Sequence, residues 1–288
     1  MLNKANLKIV NNNNSKRYFK VSEDKFLKGK VALITGAGSG FGQKMAIAYA
    51  AKGADLVLND INEAGLEETR KLVLEHYNST ILLIKADVSN SKEVEEMAKK
   101  TFETFDNVFL LVNNAGIDGG LYTALKAKES VYDKVFAVNV KGPLNVTKAF
   151  FRSMKRQKQF QPIAGKIINI ASVAGTPNGH NPMLGIYSAS KAALIAFTKL
   201  WALELGKSNI TVNAISPGVF LTPIYNNDPK LIRQFLETRN VKIPIDRIGE
   251  AEWVADLAVF LASPTADYIT GQNLIIDGGM SLSVNKLN

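Results

Sequence analysis

The 288-residue sequence contains no cysteine. This excludes structural disulfides, thiolate metal ligands and a cysteine nucleophile, and it fits a reducing compartment. Long apolar runs are also missing. The longest, such as 108–112, falls far short of the roughly 20 residues that cross a bilayer, and no signal peptide is visible. Neither an internal repeat nor a Pro/Gly/Ser-rich linker divides the chain, and no cluster of ligating side chains suggests a metal. The expectation is a cytoplasmic protein with no membrane partner and no metal centre.

What remains is an ordinary globular composition, with 46% apolar and 21% charged residues, enough to bury a sizeable core. The net charge of +9 is unevenly spread. Lys4, Lys8, Lys16, Arg17 and Lys20 precede the first acidic residue, and Arg152, Lys155, Arg156 and Lys158 form a second basic cluster. Basic surfaces attract polyanions. A solvated tail and an exposed helix end account for both blocks, so no nucleic-acid partner is expected. Residues 1–27, with an asparagine run at 11–14 and no sustained period, read as a flexible basic extension, and 28–288 as one domain.

From residue 30 onward, short runs rich in Val, Ile and Leu alternate with longer helical patterns. Strands are expected at 30–35, 55–60, 81–87, 108–113, 165–172, 211–216 and 273–277. Helices are expected at about 41–53, 63–77, 91–104, 130–156, 187–206 and 250–262. Right-handed crossovers then give an α/β, Rossmann-type doubly wound sheet of about seven parallel strands with helices on both faces.

The first strand runs into Thr35-Gly36-Ala37-Gly38-Ser39-Gly40-Phe41-Gly42 and then a helical pattern. Glycines let backbone approach a pyrophosphate, and the N–H groups and dipole of a helix start favour its charge. Strand, turn and helix in that order point to a dinucleotide. Asp60, 24 residues after Gly36, can accept hydrogen bonds from ribose hydroxyls and would repel a 2′-phosphate. No Lys or Arg stands in the glycine turn or in 59–62, so NAD is expected in preference to NADP. The alternative reading of Asp60 is a helix N-cap, a role Asn62 could serve equally well. Asp87-Val88 and Asn113-Asn114-Ala115-Gly116 end the third and fourth strands, where ligands bind in such sheets; ordinary turn chemistry is the alternative.

Ser172 ends the fifth strand, and Tyr187-Ser188-Ala189-Ser190-Lys191 opens a helix. Tyr187 and Lys191, four apart, share a helix face. A free phenol titrates near pH ~10; an adjacent ammonium and a cationic nicotinamide ring would bring it toward working pH. Tyr187 could then exchange a proton with a substrate oxygen held by Ser172. Tyr-x-x-x-Lys alone is weak, since amphipathic helices produce it by chance.

With these motifs in this order, the sequence resembles the short-chain dehydrogenase/reductase family, over about residues 26–280. The match rests on Thr35, Gly36, Gly40, Gly42, Asp87, Asn113-Asn114-Ala115-Gly116, Asn139, Ser172, Tyr187, Lys191 and Pro217-Gly218. The resemblance implies an NAD-binding dehydrogenase domain and a catalytic set of Asn139, Ser172, Tyr187 and Lys191. In it Asn139 would hold a water in a proton relay to Lys191, which would also grip the nicotinamide ribose. It further implies cofactor contacts by Ser39, Phe41, Val88, Pro217, Gly218 and Thr222, and a homotetramer. Ser39 departs from the Gly-x-x-Gly-x-x-Gly of the family's extended type, so the compact dehydrogenase type fits. The interval from Ser172 to Tyr187 is a few residues longer than usual, which bears on pocket shape.

Substrate choice should lie in the loop after Gly116, in 176–186, and in 220–240, which reads as a lid. His180 reads as a loop residue, since Tyr187 already fills the acid/base role. The leading expectation is an NAD-dependent oxidoreductase of a secondary alcohol, polyol or sugar, with a 3-oxoacyl-thioester (acyl-carrier-protein) reductase as the alternative. A non-catalytic NAD-binding regulator is the alternative of another class.

Overall fold

The Val, Ile and Leu runs become parallel strands. The computed structural model describes residues 25–157, 162–179, 181–221, 228–238 and 242–282. Its main sheet has the order β3-β2-β1-β4-β5-β6-β9, every pair parallel. The strands are β1 Val31–Thr35, β2 Asp55–Asp60, β3 Ile81–Lys85, β4 Leu110–Asn113, β5 Gly165–Ile170, β6 Ile210–Pro217 and β9 Asn273–Ile276. The fold class and the seven strands are as the sequence predicts. Central strands of such a sheet are covered on both faces, which is why β1, β4, β5 and β6 are buried along their whole length.

Helices supply that cover in two layers. On one face α1 Gly40–Ala51, α2 Glu63–Leu74 and α8 Ala251–Ala262 contribute Met45, Tyr49, Leu66, Val73, Val254 and Ala258 to one core cluster. On the other, α3 Ser91–Thr104, α5 Gly142–Met154 and α6 Gly185–Gly206 contribute Met97, Val146, Phe150, Trp201 and Leu205 to a second. The strand order reverses between β1 and β4, and the crevice this opens at the carboxyl ends of the strands is where such sheets take ligands.

Several expectations shift. The helix expected over 130–156 is broken: α4 Glu129–Phe136 and α5 are joined by a π-helical turn, Ala137–Lys141, with Asn139 at its centre. Strands β3 and β5 stop early, so Asp87 and Ser172 stand on loops. The region read as a lid contains β7 Phe220–Leu221, paired with β8 Gly249–Glu250, and α7 Pro229–Thr238. Asp228, whose Oδ1 accepts from the Lys230 N–H at 2.8 Å, and Pro229 at the first helical position were its readable start signal. Leu27, assigned to the extension, is fully buried in the core; the rest of that extension up to residue 24 lies outside the described residues.

Candidate functional site

The glycine turn between β1 and α1 is shaped by close approach. A Cβ on Gly42 would lie 2.1 Å from the Gly36 carbonyl oxygen, so no other residue fits there. Ser39 is exposed ahead of α1, whose first turn carries no acidic residue, leaving its N–H groups and dipole for an anion. Asn114 pins the turn: its Nδ2 donates to the Thr35 and Gly36 carbonyls, each at 2.9 Å, and its backbone N–H donates to Thr35 Oγ1 at 3.0 Å. Ala115 adds an N–H to the same hydroxyl at 3.1 Å.

Asp60 proves not to be the helix cap. Its carboxylate accepts from the Gly38 N–H at 2.9 Å and the Asn62 N–H at 3.0 Å, while Asn62 caps α2 through the Gly65 N–H. Each carboxylate oxygen still has lone-pair capacity for a ribose hydroxyl. Three neighbours escaped the sequence reading. Gly65 lies against the Gly38 carbonyl, and Thr69 donates to the Ala37 carbonyl at 2.8 Å. Lys85 is aligned with Asp60 across the β2–β3 register and ion-paired with Glu63 at 3.0 Å. A small residue in the first turn of α2 was the available signal for Gly65; Lys85 became visible only once the register was fixed.

The other cofactor-contact candidates line the same sheet edge with mixed local roles. Asp87 Oδ1 accepts from the Ser89 N–H at 2.8 Å, which is turn chemistry, and Val88 is buried. Gly218 follows Pro217 at the end of β6 and donates its N–H to Ile276 at 2.9 Å. Phe41 meets Phe220 edge-on, ring centroids 5.4 Å apart, and so joins α1 to the stem of the lid region. Thr222, like His180, lies outside the described residues.

Around α6 the chemical candidates converge. Lys191 Nζ sits 5.7 Å from the Tyr187 ring centroid and donates to the Ile170 carbonyl at 2.8 Å. Burial lowers its pKa to about 8. Ser172 Oγ accepts from the Ala174 N–H at 3.1 Å, which leaves its proton to donate elsewhere. The short 3-10 turn that follows, Val173–Gly175, presses on α6: a Cβ on Gly175 would meet the Lys191 carbonyl carbon at 2.6 Å. From the opposite side, a Cβ on Gly116 would stand 3.2 Å from Lys191 Nζ and 3.3 Å from Asn139 Oδ1. Asn139 is fully buried and grips Ile117, accepting from its N–H at 2.9 Å and donating to its carbonyl at 2.8 Å.

The arrangement holds a phenol beside a buried ammonium, with a hydroxyl donor near the same helix end and the 114–116 segment linking them to the glycine turn. Such a set can transfer a proton to or from an oxygen. Tyr122, paired by a single bridge with Leu184, and Leu121 and Met183 are partly exposed apolar groups near the start of α6. Among the described residues no group of His, Cys, Asp and Glu could hold a metal, and no helix is long and apolar enough to cross a membrane.

The family model described as enoyl-(acyl carrier protein) reductase matches residues 36–281. The 3-oxoacyl-(acyl-carrier-protein) reductase of Thermotoga maritima is 37% identical over 254 residues, 88% of this chain and 98% of its own length. Among solved structures, levodione reductase is similar with a TM-score of 0.81 and 32% identity, covering 89% of this chain and 99% of that one. A 3-ketoacyl-(acyl-carrier-protein) reductase from Brucella melitensis, complexed with NADH, has a TM-score of 0.79 and 34% identity, covering 88% and 99%.

Proposed function

The chain belongs to the short-chain dehydrogenase/reductase family and is an oxidoreductase, and from that premise we propose that it reduces the ketone of 3-oxoacyl thioesters with NADH. The observation that carries the chemistry is the convergence of Tyr187, Lys191, the Ser172 turn, Gly116 and Asn139. The substrate class rests on similar proteins, two of which are 3-oxoacyl- or 3-ketoacyl-(acyl-carrier-protein) reductases. They favour this class over the secondary alcohols, polyols and sugars that the sequence placed first. Levodione reductase, equally similar in fold, keeps a simple ketone as the second reading.

NADH supplies a hydride when bound. The fit is supported by the tight closure of the turn, in which Gly42 lies against the Gly36 carbonyl, and by the acid-free start of α1. Gly36, Ser39, Gly40, Phe41 and Gly42 would hold its pyrophosphate end, and Asp60 the adenosine ribose. Asp87, Val88 and the Asn114-Ala115-Gly116 segment would line its adenine and ribose parts, with Pro217, Gly218 and Thr222 at the nicotinamide. Asp60 supports NADH over NADPH, and the nearby Lys85 is ion-paired with Glu63.

Ser172 would donate a hydrogen bond to the ketone oxygen, polarising the carbonyl. Tyr187 would deliver its phenolic proton to that oxygen as the carbon is reduced, yielding a 3-hydroxyacyl thioester. Lys191, protonated below its pKa of about 8, would stabilise the phenolate left behind. Asn139 would supply the route for reprotonation. The same chemistry runs backwards for an alcohol. Exposed Tyr132 on α4 and Leu200 and Leu203 on α6 support a homotetramer built on those helices.

The test follows NADH consumption with acetoacetyl-CoA beside a panel of ketones and, with NAD, secondary alcohols. Turnover of the thioester with kcat/KM about tenfold or more above any simple ketone is expected. Turnover of ketones or polyols without the thioester would overturn the thioester assignment, and inertness towards all of them would favour the non-catalytic regulator.

A further inference from the structure

One polar side chain beside the reacting pair has no role in the mechanism above. Ser190 precedes Lys191 and is fully buried. Its Oγ donates to the Tyr187 carbonyl at 2.7 Å and accepts from Asn139 Nδ2 at 3.0 Å. We propose that Ser190 is a positioning residue that ties the π-helical turn carrying Asn139 to the backbone of Tyr187, so that the two functional groups keep one relative geometry.

Every side-chain donor hydrogen of Asn139 and Ser190 is committed. Asn139 Oδ1 must accept from the Ile117 N–H, so its amide hydrogens face the Ile117 carbonyl and Ser190. A serine hydroxyl has one proton, and that proton goes to Tyr187, while a lone pair receives Asn139. Both Asn139 and Ser190 are fully buried, so bulk water does not compete for these bonds in the folded protein. The chain of bonds runs from the segment after Gly116, through Asn139, through Ser190, to Tyr187.

The location matters because the link joins an irregular turn to a regular helix. A π-turn departs from the i+4 ladder and is set by its surroundings more than by propensity. A serine bonded back to a carbonyl of the preceding turn competes with the backbone ladder, and here that bond falls within the turn that presents Tyr187 and Lys191. The Tyr187 carbonyl is also the one the ordinary ladder assigns to the Lys191 N–H. Alanine at 190 would preserve the helix and cut the only link that Ser190 makes between the two elements among the described hydrogen bonds.

Ser188 provides an internal comparison. It lies two residues earlier, and its buried Oγ has no hydrogen-bond partner. Removing that hydroxyl deletes a polar atom of the same helix turn without cutting a link.

The proposal rests on the acid/base reading of Tyr187 and deepens it. The experiment is a double-mutant cycle on kcat in the full-length enzyme, with Ser190→Ala, Asn139→Ala, the pair, and Ser188→Ala as the comparison, each with its NADH affinity. Ser190→Ala should lower kcat on the order of tenfold, the kinetic equivalent of one buried hydrogen bond, and leave NADH affinity within about twofold. In the Asn139→Ala background the same change should cost almost nothing further, and Ser188→Ala should keep wild-type kcat.

Additive losses, an unaffected Ser190→Ala, or an equal loss in Ser188→Ala would overturn the proposal. Should the alanine variant not fold, Ser190→Cys, of similar size but weak in hydrogen bonding, replaces it with the same expectations. Tyr187→Phe measured alongside separates the two failures. An active Phe variant removes the acid/base reading itself; an inactive one with additive Ser190 and Asn139 effects removes only the positioning role.

Discussion

Replacing Lys191 by methionine should make the cofactor-free protein more stable near neutral pH while ending its activity. Lys191 is 4% exposed, and burial moves its pKa from 10.5 to about 8. At about 1.4 kcal/mol per pKa unit, keeping it charged below that pKa costs folding about 3 kcal/mol. Methionine fills the methylene space without the charge but leaves the Ile170 carbonyl without its donor, which costs about 1 kcal/mol. The net gain is about 2 kcal/mol near neutrality, or a Tm higher by about 4–8 °C for a domain of this size.

The pH dependence has a definite sign. The folded pKa lies below the unfolded one, so between about 8 and 10.5 the unfolded chain binds more protons and wild-type stability rises with pH. The advantage of Lys191→Met should therefore shrink toward zero by about pH 10. Urea unfolding of both proteins at equal concentration, at neutral pH and at about pH 10, checks it. A methionine variant less stable than wild type at neutral pH, or an advantage that ignores pH, would refute the reasoning.

Asp60→Ser should relax cofactor choice, bringing the NADH to NADPH ratio of kcat/KM from about tenfold or more toward unity, as read by initial rates with each cofactor; equal use of both by the wild type would remove the role given to Asp60. Glu63→Gln in the same background should increase NADPH use further by releasing Lys85, and the change is expected to be modest because both groups are largely exposed. Light scattering should report a tetramer at micromolar concentration, and Leu203→Glu on the exposed face of α6 should shift it to smaller species; a wild-type monomer would contradict the assembly.

The sheet was legible because a parallel strand covered on both faces writes a continuous apolar run, as in 108–112, and the glycine turn because its spacing follows from backbone approach. Tyr187 and Lys191 were legible through their four-residue spacing. The π-turn was not: the apolar period over 130–156 continues through it, and only a buried asparagine on that face, Asn139, marks the interruption. The supports of the glycine turn, Gly65 and Thr69, come from the next helix, with Thr69 standing 32 residues after the Ala37 it bonds, and Ser190 acquires Asn139 as a partner only when α6 meets the π-turn. Substrate choice was least legible, because the loops after Gly116 and Ser172 mix apolar and polar residues with no period, and the relatives reordered it.

The most direct test of the central claim is Tyr187→Phe, which keeps the ring and deletes the transferable proton. With saturating cofactor and the best substrate found, kcat should fall by about 10²- to 10⁴-fold, while NADH affinity measured by fluorescence stays close to that of the wild type. A phenylalanine variant that keeps more than about a tenth of the wild-type kcat would contradict the assignment of Tyr187 as the acid/base group.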